Sequence, residues 1–411
     1  MHRTKLRTKL PTKLLAASLV TALAAPLAGC SIITMVVDAA KKNAAKLDHW
    51  EVSKITLGLR DAKGICARGG VQLAVYADAQ HKRRKGKHKR LETWSLADEG
   101  KHAGKLDFEE FGFTAEGGEV DLETGAFVPG SDMLANELSG FTITASYPRE
   151  RKVAPSTLRF EPSYDCITHA GSFGEFGSSG RGGATGSMGK SGDGGGDSAP
   201  GADGAIGDDG GDGGNGGDGA DGPRITAYAT LVKTPHHDRM VLVKIEGDVD
   251  DLVLMDASKP VMIVAGGGDG GDGGAGGNGG RGGSGGGGNP GGTGGNGGRG
   301  GNGGSGGNGG NGGVLEVIYD ASLPELASMI ALDASAGRAG EAGRAGRAGD
   351  GGFSGNGQGS GGKAGKHGID GAEGSAGQPG RAGSDGQSSA RAGDVGSVFA
   401  SLPAGITRLS R

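Results

Sequence analysis

The sequence predicts a mainly β protein in two parts: an N-terminal β-sandwich, then a C-terminal six-helix bundle of threefold helices with β-rich cap segments. Three observations carry this. Glycine occupies every third position from Gly171 to Gly222, with Ser198 the one exception, and from Gly267 to Gly312 without a miss. A third tract holds the period over Gly337–Gly352 and again over Gly359–Gly386, and loses it over Phe353–Gln358. Between Trp50 and His169, short runs alternate apolar with polar residues, the period of half-buried strands.

A period of three matches neither the 3.6 of an α-helix nor the 2.0 of a strand. It fits a polyproline II type helix, which rises about 3.1 Å per residue and aligns its glycines on one edge. Each tract has an interruption near its middle: Asp197-Ser198-Ala199-Pro200, Asn289-Pro290 and Phe353–Gln358. The first two carry turn chemistry, so each tract (171–222, 266–313 and 337–396) reads as a hairpin. Tract two is mostly Gly-Gly-X, with two bare edges, and is expected innermost. Tracts one and three are mainly Gly-X-Y and are expected outside it. A collagen-like trimer is the structural rival, weakened by the scarcity of proline, and a flexible linker is what composition alone would favour.

The first residues bear on location. Residues 1–13 carry five Lys/Arg and no acid, Leu14–Ala25 is a short apolar run, and Leu27-Ala28-Gly29-Cys30 follows. This order resembles the lipobox signal of bacterial lipoproteins, with residues 1–29 as signal peptide. The resemblance implies cleavage before Cys30, lipidation of that cysteine and a stable membrane anchor. Ser31 at the next position resembles the outer-membrane sorting pattern of Gram-negative species, so the expected location is the cell envelope. Residues 30–49 read as a tether. Of 43 Lys/Arg and 47 Asp/Glu in the whole chain, cleavage removes five bases and no acid. The resulting formal charge, near −9, argues against a nucleic-acid binder. Cys66 and Cys166 then remain as one pair, expected as a disulfide in an oxidising compartment, with two buried thiols as the other reading.

Residues 50–170 form the expected β-sandwich, with strand candidates at Ile55/Leu57/Leu59, Val71/Leu73/Val75, Leu106/Phe108, Val120/Leu122, Phe141/Ile143 and Leu158/Phe160. Residues 171–411 form the glycine-rich part, its connectors at 225–233, 240–246, 251–256, 261–265 and 314–319 read as strands. Leu323–Ile330 reads as a short helix.

The glycine repeats, such as GGDGGDGGAGGNGGRGG from Gly267, resemble polyglycine II proteins: the snow-flea antifreeze protein, a phage tail-tip adhesin and mycobacterial glycine-rich surface proteins. The resemblance implies a polyglycine II backbone over 171–396. Arg281, Arg299, Asp269 and Asp272 are unlike the flat small-residue rows of an ice-binding face. The whole layout looks like that of myxobacterial lipoproteins.

His81–Arg90 (HKRRKGKHKR) is the densest charge run. Lys82, Arg83, Arg84, Lys85, Lys87, Lys89 and Arg90 are anion-binding candidates for anionic polysaccharide or lipopolysaccharide, or a solvated hairpin loop between two strands. His236-His237-Asp238 reads as a turn rather than a metal site, since adjacent residues rarely converge on one ion. Asp208-Asp209, Asp212, Asp218 and Asp221 allow diffuse cation binding at most. No catalytic constellation, metal or cofactor is expected. The function reads as structural or adhesive, with a glycan-binding β domain on a glycine-rich spacer as the alternative and an envelope hydrolase behind it.

Overall fold

A computed structural model describes residues 46–84, 86–96 and 104–410. The N-terminal unit has two sheets around one core. In the first, β1 (Trp50–Leu59) pairs antiparallel with β3 (Val71–His81), and β3 pairs with β4 (His88–Glu92) and β7 (Ala126–Pro129). β6 (Gly118–Asp121) extends it beside β7. The second sheet is β5 (Gly112–Glu116), β8 (Phe141–Ser146) and β9 (Ser156–Phe160) in that order. Val52, Ile55 and Leu57 of β1 and Leu73 and Val75 of β3 turn into the core with Trp94, Phe108, Phe127 and Phe141. Leu106 and Phe108, expected in a strand, sit instead at an isolated bridge and in a 3-10 turn over Phe108–Glu110.

Two short strands, β2 (Ile65–Cys66) and β10 (Pro162–Ser163), pair in parallel at the exit of this unit. There Cys66 and Cys166 form the expected disulfide, with Cα atoms 6.0 Å apart. α1 (Met133–Ser139) lies outside the sequence expectations and is capped by the Asp132 carboxylate, which accepts from the Ala135 amide at 3.0 Å. Met133 and Leu134 of α1 belong to the core of the second unit, so the two halves share packing.

That second core lies under the glycine tracts. One sheet is all parallel: β11 (His169–Phe173), β15 (Val261–Gly266) and β17 (Ile330–Asp333). Another contains β12 (Arg224–Lys233), β16 (Val314–Asp320) and β18 (Gln387–Gly393), also parallel to one another. It is extended beyond β12 by antiparallel β13 (Met240–Gly247) and β14 (Asp251–Asp256). β19 (Thr407–Arg408) closes on the far end of β12, and α2 (Leu326–Met329) precedes β17. The connector strands fall within two residues of their expected bounds because each is a contiguous β-branched and aliphatic run. The apolar faces of the two sheets meet in one buried cluster: Val261, Ile263 and Ala265 with Ala227, Ala229, Leu315 and Val317.

Each glycine tract is a hairpin that leaves a strand of the first sheet and returns into a strand of the second. Tract one gives segments 174–195 and 201–222, here 1a and 1b. Tract two gives 267–288 and 291–312 (2a and 2b), and tract three 337–357 and 362–386 (3a and 3b). Segments 1a, 2a and 3a continue the layer of β11, β15 and β17; 1b, 2b and 3b continue that of β12, β16 and β18. Within the first layer, Gly177 N–H donates to Asp269 O and Gly270 N–H to Arg338 O, both 2.8 Å. Within the second, Gly207 donates to Asn296 O at 2.9 Å and Gly294 to Lys366 O at 2.8 Å. Further bonds cross between layers, such as Gly277 to Gly211 O and Gly298 to Gly280 O, both 2.8 Å. Segments 2a and 2b each bond to four others, whereas 1a and 3b bond to two. Tract two is thus the inner one, where its paired bare Cα atoms let backbones approach from several sides.

The expectation of a C-terminal six-helix bundle is corrected. The protein is mainly β, 32% strand and 5% helical, with two short α-helices among the described residues. The physical reason lies in the hydrogen bonds. A polyproline II type helix makes no hydrogen bonds of its own; the repeating glycine amides of these tracts donate to another segment and prolong the strand ladders of the base, as in a sheet. The mainly β part of the expectation fits. Two boundaries also move. The third tract keeps its period through Gly355, since Gly285 still donates to Phe353 O and Gly288 to Asn356 O. Its turn lies at Gly359–Gly362, where Gly359 and Gly361 adopt φ of 71° and 82°, a left-handed backbone that glycine tolerates. The tract also ends at Gly386 rather than at 396, because Gln387 opens β18.

Candidate functional site

The surface of the glycine array is built by the third residue of each triplet. Asp and Asn at these positions reach sideways along their own layer and accept from the backbone amide of the neighbouring segment. From 1b to 2b, Asp203 accepts from Thr293, Asp209 from Arg299, Asp212 from Asn302 and Asp218 from Asn308, each at 2.6 Å. Asn215 and Asp221 continue the row to Ser305 and Asn311 at 2.8 and 2.7 Å. The row passes on from 2b to 3b: Asn302, Asn308 and Asn311 accept from Ser375, Arg381 and Ser384 at 2.9, 3.0 and 2.9 Å. From 2a to 3a, Asp269, Asp272 and Asn278 accept from Arg338, Glu341 and Arg347. These side chains therefore complete a second ladder that glycine amides alone do not supply. The sequence reading of Asp208-Asp209, Asp212, Asp218 and Asp221 extends only to diffuse cation binding. The signal was present, in Asp and Asn recurring every third residue in the tracts on the donating side.

The ladder changes what the acidic triplets can do. Asp209, Asp212, Asp218 and Asp221 each have an oxygen committed to an amide, and among the described residues no group of three His, Cys, Asp or Glu could hold a metal ion.

The outer edge of tract three is finished differently along its length. At its ends, side chains of 3b cap amides of 3a: Asp385 accepts from Ala336 at 2.9 Å, Asp370 from Gly351 at 2.7 Å, and the His367 ring from Ser354 at 3.3 Å. In between, the amides of Ala339, Ala342, Ala345 and Ala348 have no acceptor among the described residues. By the same antiparallel register they lie opposite Ala382, Pro379, Ala376 and Glu373. Three of those four cannot cap an amide because they have no polar side chain.

The basic run occupies the tip of the β3–β4 hairpin, as a solvated loop would. Lys85 lies outside the described residues. Arg90 stacks over the Tyr76 ring at 4.6 Å with Asp78 4.0 Å away, and Lys82 Nζ donates to Asp48 O at 3.0 Å. Arg83, Arg84, Lys87 and Lys89 are exposed, and among the described residues their side chains have no partner. Cys30, the expected lipidation site, also lies outside the described residues. No helix among the described residues is long and apolar enough to cross a membrane.

His236, His237 and Asp238 diverge rather than converge. His236 Nδ1 is 3.5 Å from Glu161, Asp238 pairs with Lys233 at 2.6 Å, and His237 Nδ1 lies 3.2 Å from Glu137. Glu137, on α1, is fully buried. Its carboxylate also accepts from Tyr164 Oη at 2.7 Å and from Thr234 Oγ1. Burial, then the bond to Glu137, push the Tyr164 hydroxyl well above the ordinary phenol range, so it stays a donor. This buried cluster joins α1 and the exit segment of the N-terminal unit to the turn after β12.

At the rim of the base, Asp320 is buried in β16. Burial by itself would raise its pKa. Donation from the Ser322 hydroxyl and amide and from Thr230, with the charge of Arg408, outweighs this and holds the carboxyl below its ordinary value. A folded-state pKa below the unfolded one stabilises fully above about pH 4 and fades as pH falls through the folded value. Asp320→Asn is expected to lower the melting temperature at pH 7 by the equivalent of about 1–2 kcal/mol. The gap from wild type should narrow as pH falls below about 4 in a melting series from pH 2 to 7.

Compared with known proteins, the chain matches no family model, no curated protein and no solved structure.

Proposed function

We propose that the chain is a non-catalytic structural or adhesive protein of the cell surface, anchored in the outer membrane through lipid on Cys30. The observation that carries this reading is the continuity of the two-layer base into the two-layer glycine array. Strand ladders pass directly into amide rows, so the array is a stiff extension of a packed core rather than a loose tail. A segment of 22 extended residues is on the order of 70 Å long, enough to hold a broad polar face well away from an anchoring membrane. The Asp and Asn ladder fixes the backbone and leaves the Arg, Lys and Ser positions of the same faces for contact. A second reading, a glycan-binding N-terminal unit displayed on a spacer, is favoured by the four unpartnered cations of the β3–β4 hairpin.

Gly298→Val tests the first reading, because a Cβ at Gly298 would sit 1.9 Å from Asp208 O. Intact cells carrying this variant should keep the lipidated chain in the membrane fraction and lose chain-dependent cell–cell or cell–matrix adhesion. Adhesion equal to that of the wild type, with the array broken, would overturn the reading.

A further inference from the structure

We propose that the uncapped stretch of the tract-three edge is a binding site for a linear anionic polysaccharide. This deepens the adhesive reading and rests on it for the ligand class. Four backbone donors, on Ala339, Ala342, Ala345 and Ala348, stand in a row at triplet spacing, roughly 9–10 Å apart in an extended chain. Everywhere inside the array, the equivalent amides, such as those of Gly270, Gly273 and Gly276, donate to the next segment. Here there is no next segment, and the Asp and His caps of both flanks stop at this stretch.

The cations fall in the same place. Arg338, Arg344 and Arg347 each adjoin one of the four alanines in the chain, and Arg381 adjoins Ala382 on the facing segment. All four are exposed, and among the described residues none of their guanidinium groups is paired. Glu341 and Glu373 are the acids of this stretch, so the balance over 338–348 and 372–382 is positive. The floor between is Ala376, Pro379 and Ala382, too small to obstruct a flat sugar chain. A linear polymer with one carboxylate per sugar or per disaccharide would meet donors and guanidinium groups along its whole length. Guanidinium groups suit carboxylate and sulfate because their planar fork can donate two parallel bonds.

A second copy of the chain is a poorer occupant. Addition of a further row brings its second triplet position against the existing segment, and inside the array that position is glycine. A Cβ at Gly268, for instance, would lie 2.1 Å from Glu175 O. On the free edge of segment 1a those positions are Glu175, Ser178, Arg181, Ala184, Ser187 and Lys190. Their side chains close that edge to stacking.

The test is binding of the full chain in detergent to linear polygalacturonate by titration calorimetry, with neutral dextran as control. Wild type should bind polygalacturonate with an affinity that falls as salt rises, and should ignore dextran. Arg344→Gln, Arg347→Gln and Arg381→Gln together should weaken binding at least tenfold. Ala342→Pro with Ala345→Pro removes two donors while keeping an extended backbone, and should weaken it at least threefold with an unchanged circular dichroism spectrum. Should the proline pair disturb folding, the Arg→Gln set decides alone. Arg151→Gln with Lys152→Gln, two exposed cations of the N-terminal unit, should leave affinity unchanged. Absence of binding, equal binding of dextran, retention of affinity by the Arg→Gln set, or an equal loss in this control variant would each overturn the site. A folded chain that supports adhesion but binds no polyuronate sinks this site and leaves the adhesive reading standing.

Discussion

Gly301→Val is expected to destabilise the protein by at least about 3 kcal/mol, and Gly182→Ala to leave it as stable or slightly more so. Both are glycines of the array, and composition does not distinguish them. A Cβ at Gly301 would lie 2.0 Å from Gly211 O and 2.5 Å from the carbonyl carbon behind it, whereas one at Gly182 meets nothing nearer than Ala275 O at 3.8 Å. Gly301 belongs to 2b, with segments on four sides. Its own amide donates to Gly277 O and its carbonyl accepts from Gly346, at 2.8 and 2.9 Å. An inserted side chain must push a backbone aside, and overpacking a rigid interior costs about 1–3 kcal/mol before any lost bond is counted. Separating the segments then strips acceptors from buried amides, at about 1 kcal/mol or more apiece. At Gly182 the added methyl points into open space. There the change acts on the unfolded chain, whose entropy falls, and typically stabilises by about 0.4–1 kcal/mol. Thermal melts followed by circular dichroism, with amide exchange of residues 174–386, should separate the two by many degrees. Equal melting temperatures would mean that the glycines are merely flexible and the rows are not packed.

The same contrast shows what was legible in the chain. The period of three and the placement of tract two inside follow from one physical fact, that backbones approach closely only where Cβ is missing, and the turns at Asp197–Pro200 and Asn289-Pro290 follow from turn chemistry. The strands β12, β13, β14, β15 and β16 were legible because each is dense in β-branched and aliphatic residues. Three features were not. The helical reading of the tracts failed because a threefold period fixes which edge is bare but does not say that the amide rows between segments continue the strand ladders of the base. The turn of tract three was misplaced because Phe353 interrupts the composition without interrupting the glycine register, which holds to Gly355. The Asp and Asn ladder went unseen because its partners are distant in sequence, Asp209 with Arg299 and Asn302 with Ser375, and no local pattern pairs them.

The buried Glu137 cluster was illegible for the same reason, and its loss should have the second large effect. Glu137→Ala is expected to cost about 3–5 kcal/mol, near the penalty for breaking a buried hydrogen-bonded charge. The carboxylate receives Tyr164 and Thr234 and faces His237, and it sits at the seam where α1 packs on the base. Deleting it strands the buried Tyr164 hydroxyl, about 1–3 kcal/mol, leaves the Thr234 hydroxyl only its 3.3 Å bond to His237 O, and opens a small cavity beside them. Tyr164→Phe removes one donor while Thr234 and His237 keep the carboxylate satisfied, and should cost about 1–2 kcal/mol. The double variant should cost less than the two single changes added together, because with the carboxylate gone the phenol has nothing to lose. The disulfide between Cys66 and Cys166 keeps the exit segment in place through all three variants, so the measured differences report the cluster itself. Denaturant melts of the four proteins give the cycle directly. Strict additivity would show that Glu137 and Tyr164 do not act together, and a cost below about 1 kcal/mol for Glu137→Ala would show that the seam is held by apolar packing alone.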